Sequence, residues 1–189
     1  LITRNGHDWS SRMPQLVRAI KGMKLKPGWL DGEIVVLNES GSTDFQALQN
    51  AFDKEKTSNI VYFLFDLPYY DGFDLTGVPL VERRALLQSL LAKAPPEIRF
   101  SESFDAPPED IVASACKIGL EGVIGKRKNS TYEAGKRSLA WLKIKAIRSE
   151  DFVVGGYTRG KGSRSSLGAL LVGYWQGKKL RFASHVGSG

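Results

Sequence analysis

The chain has 189 residues, 42% of them hydrophobic and 25% charged, with a formal net charge of +7. This is the balance of a globular chain with a real core, forming one large domain or one domain with part of another. The longest apolar run is too short to span a bilayer, and a single cysteine, Cys116, excludes an internal disulfide, so the expectation is a reducing compartment, the cytoplasm.

In chain order, Met13, Leu16, Val17 and Ile20 recur at helical spacing, with Ser10 or Ser11 as a cap and Pro14 in the first turn. Residues 29–37, "WLDGEIVVL", read as a buried strand kinked at Asp31-Gly32. "STDFQALQNAF" offers a polar cap and then Phe45, Leu48 and Phe52 on one helical face. Residues 59–67, "NIVYFLFDL", read as a strand covered on both faces, and "PYYDGFDLTGVP" as a loop. Residues 80–93 form an amphipathic helix with Leu86, Leu87, Leu90 and Leu91 inward. A short strand "IRFSES" follows, then a helix over 108–118 that carries Cys116 as a small core residue, and the strands "GVIGK" and "LAWLKIKA". Beyond 148 the texture changes to three strands, "DFVVGGYTRG", "LGALLVGYWQ" and "KKLRFASHVG", separated by Gly-, Ser- and Lys-rich turns. Leu1-Ile2-Thr3 reads as the end of a strand and the last residues as a strand entering a turn. The chain is therefore expected to be a piece of a longer protein.

Charge is divided unevenly. Residues 1–116 hold 12 Lys and Arg against 16 Asp and Glu, whereas residues 117–189 hold 15 against 4. A basic segment on an acidic body is the electrostatic footprint of a polyanion binder. Within it, Lys143 and Lys145 point to one face of a strand together with Trp141, because side chains alternate. Their ammonium groups stand about 7 Å apart, a spacing that suits neighbouring phosphates. Glu121, at the start of another strand, can bring one carboxylate to those phosphates through a divalent ion, since Mg²⁺ is commonly held by one or two carboxylates plus phosphate oxygens. Elsewhere, Arg4 lies in the turn "RNG". Glu33 sits mid-strand, where a buried carboxylate needs a partner, either an internal arginine or a ligand hydroxyl. Asp66 reads as a cap for the loop after it, and Phe65 as core.

The order "TRNG", "LDGE", "FDLPYYDG", "EGVIGK", "WLKIK" resembles the ordered motifs of the covalent nucleotidyltransferases, most closely the ATP-dependent DNA ligases. Together with "DFQALQNAF" and "EGVIGKR", it is similar to the ligase domain of the bacterial end-joining ligases of the ligase D type. The resemblance implies an α+β fold: an ATP-grasp-like adenylation domain with antiparallel sheets and flanking helices over residues 1–148, then the beginning of an OB-fold β-barrel over 149–189. It implies ATP, with Mg²⁺ or Mn²⁺, and a bacterial, nucleoid-associated repair enzyme of non-homologous end joining. That enzyme seals 5′-phosphate/3′-hydroxyl breaks in nicked or broken duplex DNA beside end-joining factors. RNA ligases and capping enzymes share these motifs, and a non-catalytic nucleic-acid-binding module would keep the scaffold without the chemistry. By resemblance, Arg4 contacts the nucleotide and the 5′-phosphate region, Glu33 the ribose hydroxyl, and Phe65 stacks on adenine. Glu121 is associated with the metal, and Lys143 and Lys145 contact the α-phosphate. Lys126 is a weaker phosphate candidate, and Arg127, Lys128, Lys136 and Arg137 are loop cations that are solvated or touch DNA backbone. The family's nucleophilic lysine lies in "KxDGxR". Neither Asp-Gly pair here follows such a lysine, since Trp29 and Tyr69 stand two residues before them. The 189 residues are therefore expected not to self-adenylate.

Overall fold

A computed structural model describes residues 1–39, 41–54, 56–136, 138–146, 151–160 and 167–187, apart from the Phe45 side chain. Arg137 and the expected boundary between residues 148 and 149 lie outside the described residues. The backbone packs as two units, Leu1–Ile147 and Arg148–Gly189.

The first unit opens with a turn and a 3-10 segment, Ser10–Arg12, before helix α1 (Pro14–Gly22). Ser10 and Ser11 lie inside that 3-10 segment and do not cap α1; Met13 holds the cap position with no side-chain bond, and Pro14 starts the helix. Strand β1 (Gly28–Val36) pairs antiparallel with β2 (Ile60–Tyr70), and the register shifts on both sides of Asp31, which is the expected kink. A Cβ at Gly32 would overlap the Phe63 carbonyl and the Tyr62 and Leu64 side chains, so only glycine fits the irregularity. Helix α2 (Phe45–Asp53) between them is capped by Asp44, whose carboxylate accepts the Ala47 N–H at 2.8 Å.

β2 runs three residues beyond its predicted end. "YYDGF" is a hairpin, not a loop: Asp71 and Gly72 both have positive φ (49° and 89°), and β3 (Phe73–Asp74) returns against β2. Two consecutive positive-φ residues match the right-handed strand twist, which is why Asp-Gly closes a two-residue turn. Helix α3 (Leu80–Leu90) leads to β4 (Ile98–Phe100), which pairs parallel with β2. The first sheet is therefore mainly antiparallel, as expected, with one parallel pair at β4. Leu87 and Leu91 point inward and Leu90 is partly buried, as predicted, but Leu86 faces solvent and Arg83 occupies a core position.

Leu16, Ile60, Leu64, Leu67 and Leu87 are fully buried and anchor one core between the helices and one face of the sheet. Each contributes about 1.5–3 kcal/mol by leaving water. Alternation puts Glu33, Phe63 and Phe65 on the sheet's other face, away from that core. Helix α4 (Pro108–Lys117), with Ala115 buried and Cys116 half-buried, precedes a two-stranded antiparallel sheet of β5 (Gly122–Lys126) and β6 (Trp141–Lys145).

The second unit is an antiparallel meander of β7 (Val153–Thr158), β8 (Ala169–Gln176) and β9 (Lys179–Gly187), with a register shift in each pairing. Among the described residues, no helix is long and apolar enough to cross a membrane.

Candidate functional site

The site begins at a pair of glycines. Gly32 precedes Glu33, and Gly122 follows Glu121. A Cβ at Gly122 would overlap the Ile144 carbonyl, so β5 and β6 approach closely only with glycine there. Register then fixes which side chains share a face: Lys126 is paired with Trp141, Ile124 with Lys143, and Gly122 with Lys145. Paired residues of an antiparallel ladder project to the same side. Trp141, Lys143, Lys145, Ile124 and Lys126 therefore line one surface.

That surface meets the first sheet at Phe65. The rings of Phe65 and Trp141 stand edge to face, with centroids 5.7 Å apart. The Lys126 ammonium lies 3.8 Å from the Phe65 centroid and 3.7 Å from that of Trp141, inside cation–π range of both. Burial, then the neighbouring Arg84 charge, lowers the Lys126 pKa to about 8, against the opposing pull of Asp66 and Asp31. Sequence reading ranked Lys126 below Lys143 and Lys145. Its contacts are Phe65 on β2, far away in the chain, and Trp141 on β6, which the register of β5 against β6 pairs with it.

The remaining predicted residues divide. Lys143 forms an ion pair with Glu121 at 3.5 Å, with side chains 57% and 84% exposed. Lys145 is exposed one turn of the pleat further along. Glu33 is exposed, which corrects the expectation of a buried carboxylate: the strand's apolar neighbours cover only its other face, and among the described residues Glu33 forms no ion pair. On the opposite face of β6, Leu142 is 53% exposed, while Ile144 is half-buried. Arg4 lies exposed in the turn closed by the Gly6 N–H to the Thr3 carbonyl at 2.8 Å, and no described hydrogen bond or ion pair joins it to the other site residues. Lys128 pairs loosely with Asp105 at 3.8 Å.

Asp66 is no loop cap. It is fully buried and takes two hydrogen bonds from Arg83, Nε at 2.7 Å and Nη2 at 2.9 Å. Arg83 also donates to the Val78 and Ser130 carbonyls. Next to it, Arg84 donates to the carbonyls of Phe65 (3.0 Å) and Ser101 (2.6 Å) and so holds the backbone under the aromatic ring. Asp31 accepts the Tyr132 hydroxyl at 3.1 Å. Burial, then the Asp66 charge, raises the Asp31 pKa, and burial with the Asp31 charge pushes Tyr132 up to about 12. The loop 127–132 is bonded to the start of α3 by the Leu80 N–H to the Ser130 carbonyl, 2.9 Å, and the Val81 N–H to that of Lys128, 3.0 Å. These bonds fix the second sheet over the first.

The result is a surface that brings the Phe65 and Trp141 rings together around Lys126, with exposed ammonium groups at Lys143 and Lys145 and exposed carboxylates at Glu33 and Glu121. It can stack a planar ring and neutralise an attached anionic chain. Among the described residues no cluster of three or more His, Cys, Asp or Glu exists, so a divalent ion at Glu121 fits only if phosphate oxygens complete its shell.

A family model described as the ATP dependent DNA ligase domain matches residues 1–145. The multifunctional non-homologous end joining protein LigD of Pseudomonas aeruginosa is 52% identical over 193 residues, covering 100% of this chain and 23% of that protein. The multifunctional non-homologous end joining DNA repair protein LigD of Mycobacterium tuberculosis strain H37Rv is 36% identical, covering 100% and 24%. The DNA ligase of vaccinia virus strain Western Reserve is 38% identical over 76% of this chain and 28% of its own length. The crystal structure of the ligase domain from M. tuberculosis LigD superposes with a TM-score of 0.70 at 34% identity, covering 100% of this chain and 60% of that one. A mycobacterial DNA ligase D complexed with ATP and MES gives a TM-score of 0.68 at 33% identity, covering 98% and 58%. The chain spans about a quarter of the length of these curated relatives.

Proposed function

Because the chain belongs to the ATP-dependent DNA ligase family, we propose that this surface holds the adenosine nucleotide of an enzyme that joins 5′-phosphate and 3′-hydroxyl ends of nicked or broken duplex DNA in bacterial end joining. The observation that carries this reading is the meeting of Phe65, Trp141 and Lys126 across two sheets, beside the Lys143–Glu121 pair. Adenine stacks on Phe65 with Ile124 as the apolar side chain of the facing sheet. Glu33, solvated on the Phe65 face, accepts the ribose hydroxyls. Lys143 and Lys145 take the α-phosphate oxygens, Lys126 lies beside the base, and Arg4 meets the phosphate end. Glu121, held only loosely by Lys143, would hold Mg²⁺ or Mn²⁺, which would supply neutralisation of phosphate charge.

The chemistry proceeds in three displacements. A lysine amine attacks the α-phosphorus, forming a P–N bond as the P–O bond to pyrophosphate breaks and the amine loses a proton. The DNA 5′-phosphate then attacks the same phosphorus and the P–N bond breaks. Finally the 3′-hydroxyl attacks the DNA 5′-phosphorus and AMP leaves. Lys143 and Lys145 act in each by holding charge that grows on non-bridging oxygens. No lysine of the "KxDG" form occurs in the 189 residues. We assign residues 1–148 to the adenylation domain and 149–189 to the beginning of an OB-fold that contacts DNA backbone without reading sequence. A cytoplasmic, nucleoid-associated location follows from that substrate, and end-joining proteins are the expected partners. The family match does not favour the RNA ligase, capping-enzyme or non-catalytic readings.

Radiolabelled ATP tests this. With Mg²⁺, the 189-residue chain should remain unlabelled, whereas the same chain preceded by a "KxDGxR" lysine should carry covalent AMP and seal a DNA nick. Label on the short chain, or an extended protein that neither adenylates nor seals, overturns it.

A further inference from the structure

The net negative charge of residues 1–116 conceals a basic surface. From Trp9 to Leu30 the sequence holds five cations, Arg12, Arg18, Lys21, Lys24 and Lys26, and no acid. Arg12 is accounted for, since its guanidinium lies 4.7 Å from both the Trp9 and Phe52 rings. The other four are exposed, and among the described residues none forms an ion pair. On α1, Leu16, Ala19, Ile20 and Met23 face the core, which turns Arg18 and Lys21 outward as neighbours one turn apart. Like charges at that spacing destabilise a helix slightly. The helix dipole offsets this for Lys21, in the last turn, but not for Arg18 in the middle.

A second cation converges on the same place. Arg18 and Lys93, the latter beyond the end of α3, flank one hollow of about 350 Å³ floored by Ala19, Gly22, Met23 and Pro95. The acid nearest in sequence, Glu97, is half-buried and pairs with neither. Two unpaired cations brought from separate elements to one concave wall is an arrangement for an anion, and uncompensated Lys and Arg on a shallow surface fit a phosphate backbone. The patch lies on the helix side of the first sheet, whereas Phe65 and Glu33 face the other way.

We propose that the outer face of α1 and the Arg18–Lys93 hollow form a second phosphate-backbone contact for duplex DNA, separate from the nucleotide site. This rests on the DNA substrate of the reading above. The surface would grip duplex outside the break being joined, adding affinity without sequence preference.

The test is fluorescence anisotropy of an intact labelled duplex with this chain across a salt series. Arg18→Glu/Lys21→Glu/Lys93→Glu should weaken binding at least about tenfold and make the slope of log affinity against log salt shallower by about three, one for each phosphate left without its cation. Arg18→Gln/Lys21→Gln/Lys93→Gln should fall between parent and reversal. Both variants should stay folded, melting within a few degrees of the parent, and keep ATP binding, since all three side chains are exposed. A parent that binds duplex and a reversed variant with the same affinity and slope overturn this proposal alone and would leave an acidic protein as the occupant. A parent that binds no duplex overturns the DNA-substrate reading with it.

Discussion

Two ion pairs in this molecule use the same chemistry for opposite ends. Arg83 and Asp66 are fully buried, joined by two hydrogen bonds, and Arg83 is bonded to two further carbonyls. Lys143 and Glu121 are mostly exposed and meet at 3.5 Å. The first pair cannot exchange partners without stranding a charge in the core, so it is architecture. The second contributes at most about 1 kcal/mol. Its members can therefore change partners, as the proposed phosphate and metal roles require. Burial, not residue type, separates the scaffold from the chemistry.

Breaking each pair should sharpen the contrast. Arg83→Ala leaves Asp66 uncompensated and should cost about 3–5 kcal/mol in urea unfolding; a loss below about 1 kcal/mol would put the pair on the surface in solution. Lys143→Ala, in a protein that also carries the upstream lysine, should reduce nick sealing at least about 100-fold, of the order of 2.7 kcal/mol in transition-state stabilisation. Its unfolding free energy should move by less than about 0.5 kcal/mol, and near-normal sealing would remove its phosphate role. Tyr132→Phe removes the hydroxyl bond to half-buried Asp31 and should cost about 1 kcal/mol.

The remaining effect is a pH dependence. The Lys126 pKa is about 8 in the folded chain and 10.5 ordinarily. Between those values the unfolded state holds the proton that the folded state has released, so stability rises with pH across the window about 8 to 10.5. Below it, charging Lys126 between the two rings opposes folding. The difference in melting temperature between parent and Lys126→Met should therefore shift in the parent's favour as pH rises through that window. A difference flat with pH would mean that Lys126 is solvated.

Strand alternation made part of this legible. It placed Trp141, Lys143 and Lys145 on one face and Glu121 at the neighbouring strand's start, and the structure keeps them there. Phe65, readable as core, instead lies at the junction of the two sheets. What alternation could not supply was which face of β1 is covered, and Glu33 was expected inside for that reason. Helical periodicity likewise put Leu86 inward, because Arg83 reads as a solvent residue until Asp66 is brought to it across 17 positions. Lys126 and Tyr132 share that cause. Their partners, Phe65 and Asp31, are reached only where side chains of distant segments pack together. The Asp-Gly hairpin was missed although its signal was local, since two positive-φ residues were read as loop chemistry and not as a turn between strands.

The most direct measurement is a crystal structure of this chain grown with ATP and Mg²⁺. The account predicts adenine against Phe65, ribose hydroxyls at Glu33 and the α-phosphate within hydrogen-bond reach of Lys143 and Lys145. A nucleotide seated elsewhere, for instance against the exposed Trp29 ring and its half-buried neighbour Tyr69, or no nucleotide at saturating concentration, would contradict it.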